Sequence, residues 1–255
     1  MGKRTRSQRR GSSPKNRVSS HRFPAANRIP RVSEKMGEVT DLVHSAAHTA
    51  PLARVKFDDG TTAHIAAPEG VSVGQELAFG DNVSLRPGNV TKLSEIPEGT
   101  PISNIESRPG DGGKFARSGG NSAVLETRMG DKVRIRLPSG AMKDLAASCR
   151  ATIGVLGGHG RTDKPLMKAG AAHYRAKARG KLYPTVSGVA MNPVDHPHGG
   201  GNHQAVHGPN SVSRNAPPGQ KVGNIAPRRT GRGRTREQLS LIHISEPTRP
   251  RLISY

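Results

Sequence analysis

Four imidazoles crowd one short stretch, MNPVDHPHGGGNHQAVHG (Met191–Gly208): His196, His198, His203 and His207, with Asp195 and the triplet Gly199, Gly200, Gly201 among them. Side chains of this type bind metal ions or pass protons. A zinc site would hold neutral imidazoles or thiolates tetrahedrally on a stiff scaffold. Here the spacing H-x-H-x4-H-x3-H falls in a Gly/Pro-rich loop without a thiolate and follows no common metal motif, so no metal ligand is expected. Cys149 lacks papain-like surroundings, and no catalytic residue is expected. General acid–base use of His196 stays open on residue type alone. The other reading is RNA contact: the glycines let the backbone approach a nucleotide closely while His196 and His198 stack on it or hydrogen-bond to it.

Other stretches pair glycine with cations. SRPGDGGKFARSGGNSA (Ser107–Ala123) holds Arg108, Lys114 and Arg117. It departs from the nucleotide-hydrolase phosphate loop, because Arg108 stands where that template needs its first glycine and Phe115 where it needs Ser or Thr. Its backbone N–H groups are expected to approach phosphates that the cations neutralise. GGHGRTDKPLMKAG repeats the recipe with Arg161, Lys164 and Lys168. SRNAPPGQKVGNIAPRRTGRGRTR repeats it again with Arg214, Lys221, Arg228 and Arg229. A short helix around AAHYRAKARG would carry Lys177 and Arg179, and the N-terminus offers Arg4, Arg6, Arg9 and Arg10.

The elements that must position these residues follow from composition. Of 255 residues only 32% are apolar and 3% aromatic, with no Trp, 31 Gly and 20 Pro. Bulky side chains supply most of the apolar area a core can bury. Small Gly-turned β-units are therefore expected, with long stretches lacking a core.

The formal net charge of +21 is unevenly spread: +10 over residues 1–35, −6 over 36–106, +16 over 107–238 and +1 beyond. An excess this large calls for a polyanion, above all nucleic acid. No run of about 18 apolar residues and no basic amphipathic helix with apolar anchors points to a membrane. A single Cys fits a reducing compartment and the N-terminus lacks the apolar segment of a secretory signal, so a cytoplasmic protein is expected.

The first 35 residues show no helical or strand period and are expected to be a disordered RNA-binding arm. LARVKFDDGTTAHI reads as a hairpin turned at Asp59-Gly60, and VGQELAFG and NVSLRPGN as further short strands of one small barrel. A second begins near Ile102, with DKVRIRLPSGAMKDL its clearest piece: Val133, Ile135 and Leu137 face its core, and Arg134 and Arg136 face outward as RNA contacts, with Leu145, Ile153 and Val155 extending the apolar set.

RPGDGGKFAR, LPSG, CRATIGVLGG, GRTDKP, KARGKLYPTVSGVAMNPVDHPHGGG and SRNAPPGQKVG, in this order, resemble the universal large ribosomal subunit protein two family in its archaeal or eukaryote-like form. The resemblance covers roughly residues 1–236. It implies a mainly β chain: the arm (1–35), an OB-fold barrel (36–95), a Src-homology-three-like barrel (96–175) and a basic extension threading into rRNA (176–238). It implies a structural, non-enzymatic protein bound to large-subunit rRNA near the peptidyl transferase centre, supporting subunit association and tRNA binding. His196, the first histidine of DHPHGG, is the residue the family holds functionally important, while peptide-bond chemistry belongs to RNA. The implied partners are that rRNA and other ribosomal proteins, with tRNA and the small subunit reached indirectly, and neither a membrane nor a second copy of the chain. No cofactor is expected, and magnesium bridging to rRNA stays open on the sequence.

LSLIHISEPTRPRLISY (239–255) drops the Arg/Gly bias and reads as a non-native tail. A free RNA- or DNA-binding regulator is the competing reading, since it too would be basic. An enzyme with a histidine site is the third.

Overall fold

The computed structural model describes residues 5, 8, 17, 18, 20–31 and 35–231. They divide between a unit spanning 17–183 and another drawn from 1–16 and 184–255. The expectations for Arg4, Arg6, Arg9, Arg10 and the 239–255 tail lie outside the described residues.

In the 17–183 unit, strand alternation sets which side chains face inward. β1 (Lys35–Val43) pairs antiparallel with β2 (Leu52–Phe57), and β2 with β3 (Thr62–Ala66). In β2, Leu52, Val55 and Phe57 are buried while Arg54 and Lys56 are exposed. The β2–β3 turn closes as expected. Gly60 takes φ +77°, and the Asp59 carboxylate accepts from the Thr61 backbone N–H at 3.1 Å and hydroxyl at 2.6 Å. β4 (Glu76–Phe79) lies on the other side of β1 and meets β5 (Val90–Lys92) through Phe79. Val39, Val55, Phe57, Ile65, Leu77, Phe79 and Val90 form the first core.

β6 (Pro101–Ser103), β7 (Ala123–Met129), β8 (Lys132–Arg136), β9 (Met142–Ala146) and β10 (Arg150–Ile153) build the second half. The sheet runs β3-β2-β1-β4-β5-β10-β6-β7-β8-β9, so β5 and β10 join the halves. Leu93, Ile96, Ile102, Leu125, Val133, Ile135, Leu145 and Ile153 share the second core, against which Leu137 packs. The chain is mainly β, two five-strand units in succession, as the OB-then-Src-homology-three reading implies. α1 (Ala169–Ala178) follows, and a two-stranded parallel pair, β11 (Ser211–Val212) with β12 (Asn224–Ile225), lies in the other unit.

Four details differ from the sequence reading. Residues 82–89 form a loop and not a strand: Asn82 has φ +53°, and the Asn89 side chain serves where a ladder would, accepting from Ala78 N at 3.0 Å and donating to Ser84 O at 2.9 Å. The changeover between cores falls before residue 96, because Val90 packs in the first and Leu93 in the second. Leu156, rather than Val155, is buried, against Ala50 and Ala66. The arm is not coreless to residue 35: Ile29 joins the first core and the buried Asn27 Oδ1 accepts from Ala66 N at 3.0 Å. One apolar residue and one amide suffice there, too few to show a period.

Candidate nucleic-acid interface

The Gly-rich loop after β6 wraps a carboxylate of its own chain. Glu106 is fully buried; Oε2 accepts from Gly110 N at 3.1 Å and Arg150 N at 3.0 Å, and Oε1 from Gly112 N at 3.1 Å and Arg150 Nη2 at 2.9 Å. Arg150 Nη1 also donates to Pro30 O at 2.8 Å, tying in the arm. Asp111 receives Ser107 N, Arg108 N and Gly113 N at 3.0–3.3 Å. Burial pushes the Glu106 carboxyl up, but the Arg150 hydrogen bonds and the two glycine N–H groups outweigh it and hold it below its ordinary range. The expectation that these N–H groups meet phosphate is therefore corrected: protein carboxylates already occupy them. Arg108 and Lys114 remain exposed at the rim.

Arg134 and Arg136 do face outward, but each has a carboxylate. Register sets Arg134 opposite Asp144 in β9, with Nε to Oδ1 at 2.8 Å and Nη2 to Oδ2 at 3.1 Å. Arg136 Nε lies 3.1 Å from Glu126 Oε1. The Arg134 hydrogen bonds hold the Asp144 carboxyl below its usual range.

A different environment forms where residues 44–49, 117–120, 157–161 and the end of α1 converge. Gly119 N donates to Thr49 Oγ1 at 2.9 Å, Gly120 N to Leu156 O at 2.8 Å, and Arg161 Nε to Gly119 O at 3.0 Å. Gly119 is required by this crossing, since a Cβ would lie 2.7 Å from Thr49 O and 2.9 Å from Gly157 O. The crossing fixes Arg117, which also donates to Asn27 O, beside Arg161. With Arg179 and Lys181 they line a cavity of about 500 Å³ that no carboxylate lines, bordered by His48 and Phe23. Burial, then the neighbouring charges of Arg175 and Arg161, lowers the Arg179 pKa; burial, then Arg28, lowers that of Arg117. Burial and Arg117 likewise lower the pKa of His48. Sequence reading singled out Arg117, Arg161 and Arg179 but placed them in separate segments. It missed His48, Lys181 and Arg150; the only signal for Lys181 was its place at the end of the basic run KARGK.

Lys164, Lys168 and Lys177 are exposed on and before α1, and Arg214, Lys221, Arg228 and Arg229 are exposed in the other unit. The histidine loop there is tightly folded. His196 N donates to Asn192 O at 3.2 Å, Gly199 N to His196 O at 2.9 Å and Gly200 N to Met191 O at 3.0 Å. His196 Nδ1 accepts from His198 N at 3.0 Å, and the two rings sit 4.9 Å apart. His207 Nε2 meets Gly200 O at 3.1 Å. A Cβ on Gly199 would fall 2.5 Å from the Asn192 and Met191 oxygens, and one on Gly200 2.3 Å from Pro193. These glycines are needed first for the loop's own packing. No group of three His, Cys, Asp or Glu with metal-binding geometry occurs among the described residues. The letters Gly70-Val71-Ser72-Val73-Gly74 match a nucleophile elbow, yet the segment joins β3 to β4 and not a strand to a helix.

Comparison with known proteins agrees with this basic, mainly β arrangement. The family model for the C-terminal domain of ribosomal proteins L2 matches residues 86–223. The large ribosomal subunit protein uL2 of Haloarcula marismortui is 53% identical over 237 residues, covering 91% of this chain and 99% of that protein. That of Methanothermobacter thermautotrophicus is 52% identical over 241 residues, covering 92% and 100%. That of Archaeoglobus fulgidus is 49% identical over 234 residues, covering 91% and 99%. With this identity sustained across nearly whole chains, the protein belongs to the universal uL2 ribosomal protein family, in its archaeal form.

Proposed function

We propose that the chain is a structural component of the large ribosomal subunit, binding large-subunit rRNA near the peptidyl transferase centre and supporting subunit association, tRNA binding and peptide-bond formation. The observation that carries this is 53% identity to a large-subunit protein over 91% of the chain. A net charge of +21 supports a polyanionic partner. In this reading the arm, the second β-unit and the extension to residue 238 carry most of the rRNA contacts, while the acidic first β-unit keeps most of its surface off RNA. Neighbouring ribosomal proteins are direct partners, tRNA and the small subunit indirect ones. The bond-forming chemistry is left to RNA, and His196 supports that RNA environment rather than reacting.

Sedimentation through a high-salt gradient tests the reading: the protein is expected to travel with large subunits, whereas a free regulator would stay near the top. His196→Ala removes the His198 N contact within its own loop but is expected to leave the stability of the 17–183 unit nearly unchanged, and to impair tRNA binding or peptide-bond formation in assembled subunits. Full activity in those subunits would make His196 a bystander.

A further inference from the structure

We infer that the cleft formed by Arg117, Arg161, Arg179 and Lys181 is a built phosphate seat that takes the backbone phosphodiester of an RNA strand. This rests on the RNA-binding reading and names the group that enters one site. The cations of this cleft lack counter-charges. Four of them line about 500 Å³ without one lining carboxylate, although the chain supplies carboxylates to Arg134, Arg136 and Arg150 elsewhere. Buried polar groups otherwise find partners almost everywhere in folded proteins. Yet the Nε atoms of Arg117 and Arg179 are buried with no hydrogen-bond partner. An anion in the cleft would supply the counter-charge that none of the lining residues carries.

Donor geometry selects the anion. Guanidinium forks match the oxygens of phosphate, and three arginines plus a lysine offer donors from several sides. A nucleobase fits less well. The Phe23 and His48 rings pack edge to face, 5.0 Å apart at 80°, leaving no parallel slot between them. The seat is also preorganised: Arg161 is held by Gly119 O and Arg117 by Asn27 O, so anion binding has little side-chain freedom left to remove.

A built seat for an absent anion has a signature that a solvated basic face or a structural arginine does not share. Removing one of its charges should weaken RNA binding without lowering the stability of the free protein. Arg179 is the best probe, because its half-buried side chain lies among like charges with its Nε buried and unpartnered. Arg179→Met keeps the apolar stem. In the full chain, it is expected to bind a large-subunit rRNA transcript about tenfold more weakly, with an unfolding midpoint equal to or above that of the parent. Lys56→Met, which removes an exposed charge from β2, is expected to stay within about twofold. Lys181→Met, which removes an exposed charge lining the same cleft, repeats the test should Arg179→Met fail to fold.

Inorganic pyrophosphate, compared with chloride at equal ionic strength, separates a free anion from the RNA strand. It is expected to raise the parent's midpoint and to lose that effect in Arg179→Met. The inference is overturned if the cleft variants bind rRNA no worse than Lys56→Met, or if pyrophosphate stabilises parent and variant alike. Failure of the parent itself to bind rRNA would instead sink the functional reading, leaving the pyrophosphate comparison to decide the seat.

Discussion

Arg134 and Arg179 carry the same guanidinium into opposite surroundings. Arg134 lies on an exposed β-ribbon with Asp144 in a bidentate contact. Arg179 lies at the end of α1, its Nε buried and unpartnered, among Arg161, Arg175 and Lys181. The difference separates two uses of a basic residue. Where a carboxylate answers the charge, the pair shapes the protein; where none does, the charge is held for something outside it. Counting arginines along the chain treats the two alike.

The largest loss is expected where the best-answered charge is broken. Glu106→Gln removes the carboxylate that neutralises Arg150, whose side chain is only 16% exposed, and leaves Gly110 N and Gly112 N competing for one amide oxygen. Removing one partner of a buried, hydrogen-bonded pair typically costs about 3 kcal/mol or more. Denaturant unfolding of the variant should show a loss of that size. A loss under about 1 kcal/mol would mean that the loop is not organised around Glu106.

The acid limb of the stability curve should report the same group. The folded pKa of Glu106 lies below its ordinary value, so its contribution is fully present above the unfolded value of about 4.3 and fades as pH falls through the lower folded value. Parent and Glu106→Gln should therefore differ by a constant amount between about pH 5.5 and 7, then converge below about pH 4. A gap that instead widened on acidification would assign the stabilisation to another group.

How far this contrast was legible in the sequence depended on distance along the chain. Local chemistry read well. The Asp59-Gly60 turn, the inward Val133, Ile135 and Leu137 and the helix over AAHYRAKARG rest on neighbours within a few residues. The candidate site read as a set of basic segments, but not as answered and unanswered charges. Arg134 finds Asp144 only through the β8–β9 register, and Glu106 finds Arg150 only because β10 returns beside β6. Arg117 and Arg161 meet because Gly119 and Gly120 let two loops cross. The glycines of RPGDGG were read as open to phosphate because their nearest acceptor, Glu106, belongs to the preceding strand-end and turns inward. Glycine loops look alike in sequence whether they face an outside anion or one of the chain's own.

Gly113 gives a smaller test of the answered side. Its φ is +93°, and an added Cβ would lie 2.4 Å from Asn104 Oδ1 and 2.7 Å from Asn104 O. At Gly110, φ is +79° and nothing lies within 4 Å of the added atom. Both substitutions to Ala carry the left-handed strain of about 1 kcal/mol, and only the first adds a backbone collision. Gly113→Ala should therefore lower stability by about 1 kcal/mol or more beyond Gly110→Ala, measured by thermal or denaturant unfolding. Equal losses would mean that the loop shifts freely and does not hold Glu106 in place.

The smallest expected effect belongs to the ribbon, and it bears on the comparison most directly. Sequence reading put Arg134 and Arg136 on an RNA-facing surface, and both are indeed exposed enough to reach one. Their partners Asp144 and Glu126 travel with them, so the ribbon presents dipolar pairs to an approaching phosphate rather than two free charges. Capturing an RNA phosphate there would require breaking the fork on Asp144, which offsets what the new contact contributes. Exposed pairs of this kind also contribute little to folding. The double substitution Arg134→Met and Arg136→Met should thus leave the unfolding midpoint nearly unchanged and alter rRNA affinity by less than about threefold. Arg179→Met, removing half the formal charge, should do more harm to binding. The decisive variant is Asp144→Asn: it frees Arg134 without adding a cation and should strengthen rRNA binding at low salt, an effect that shrinks as salt rises. Unchanged affinity would place the ribbon away from RNA altogether, and a marked loss in the double arginine variant would show that an answered charge can still be recruited.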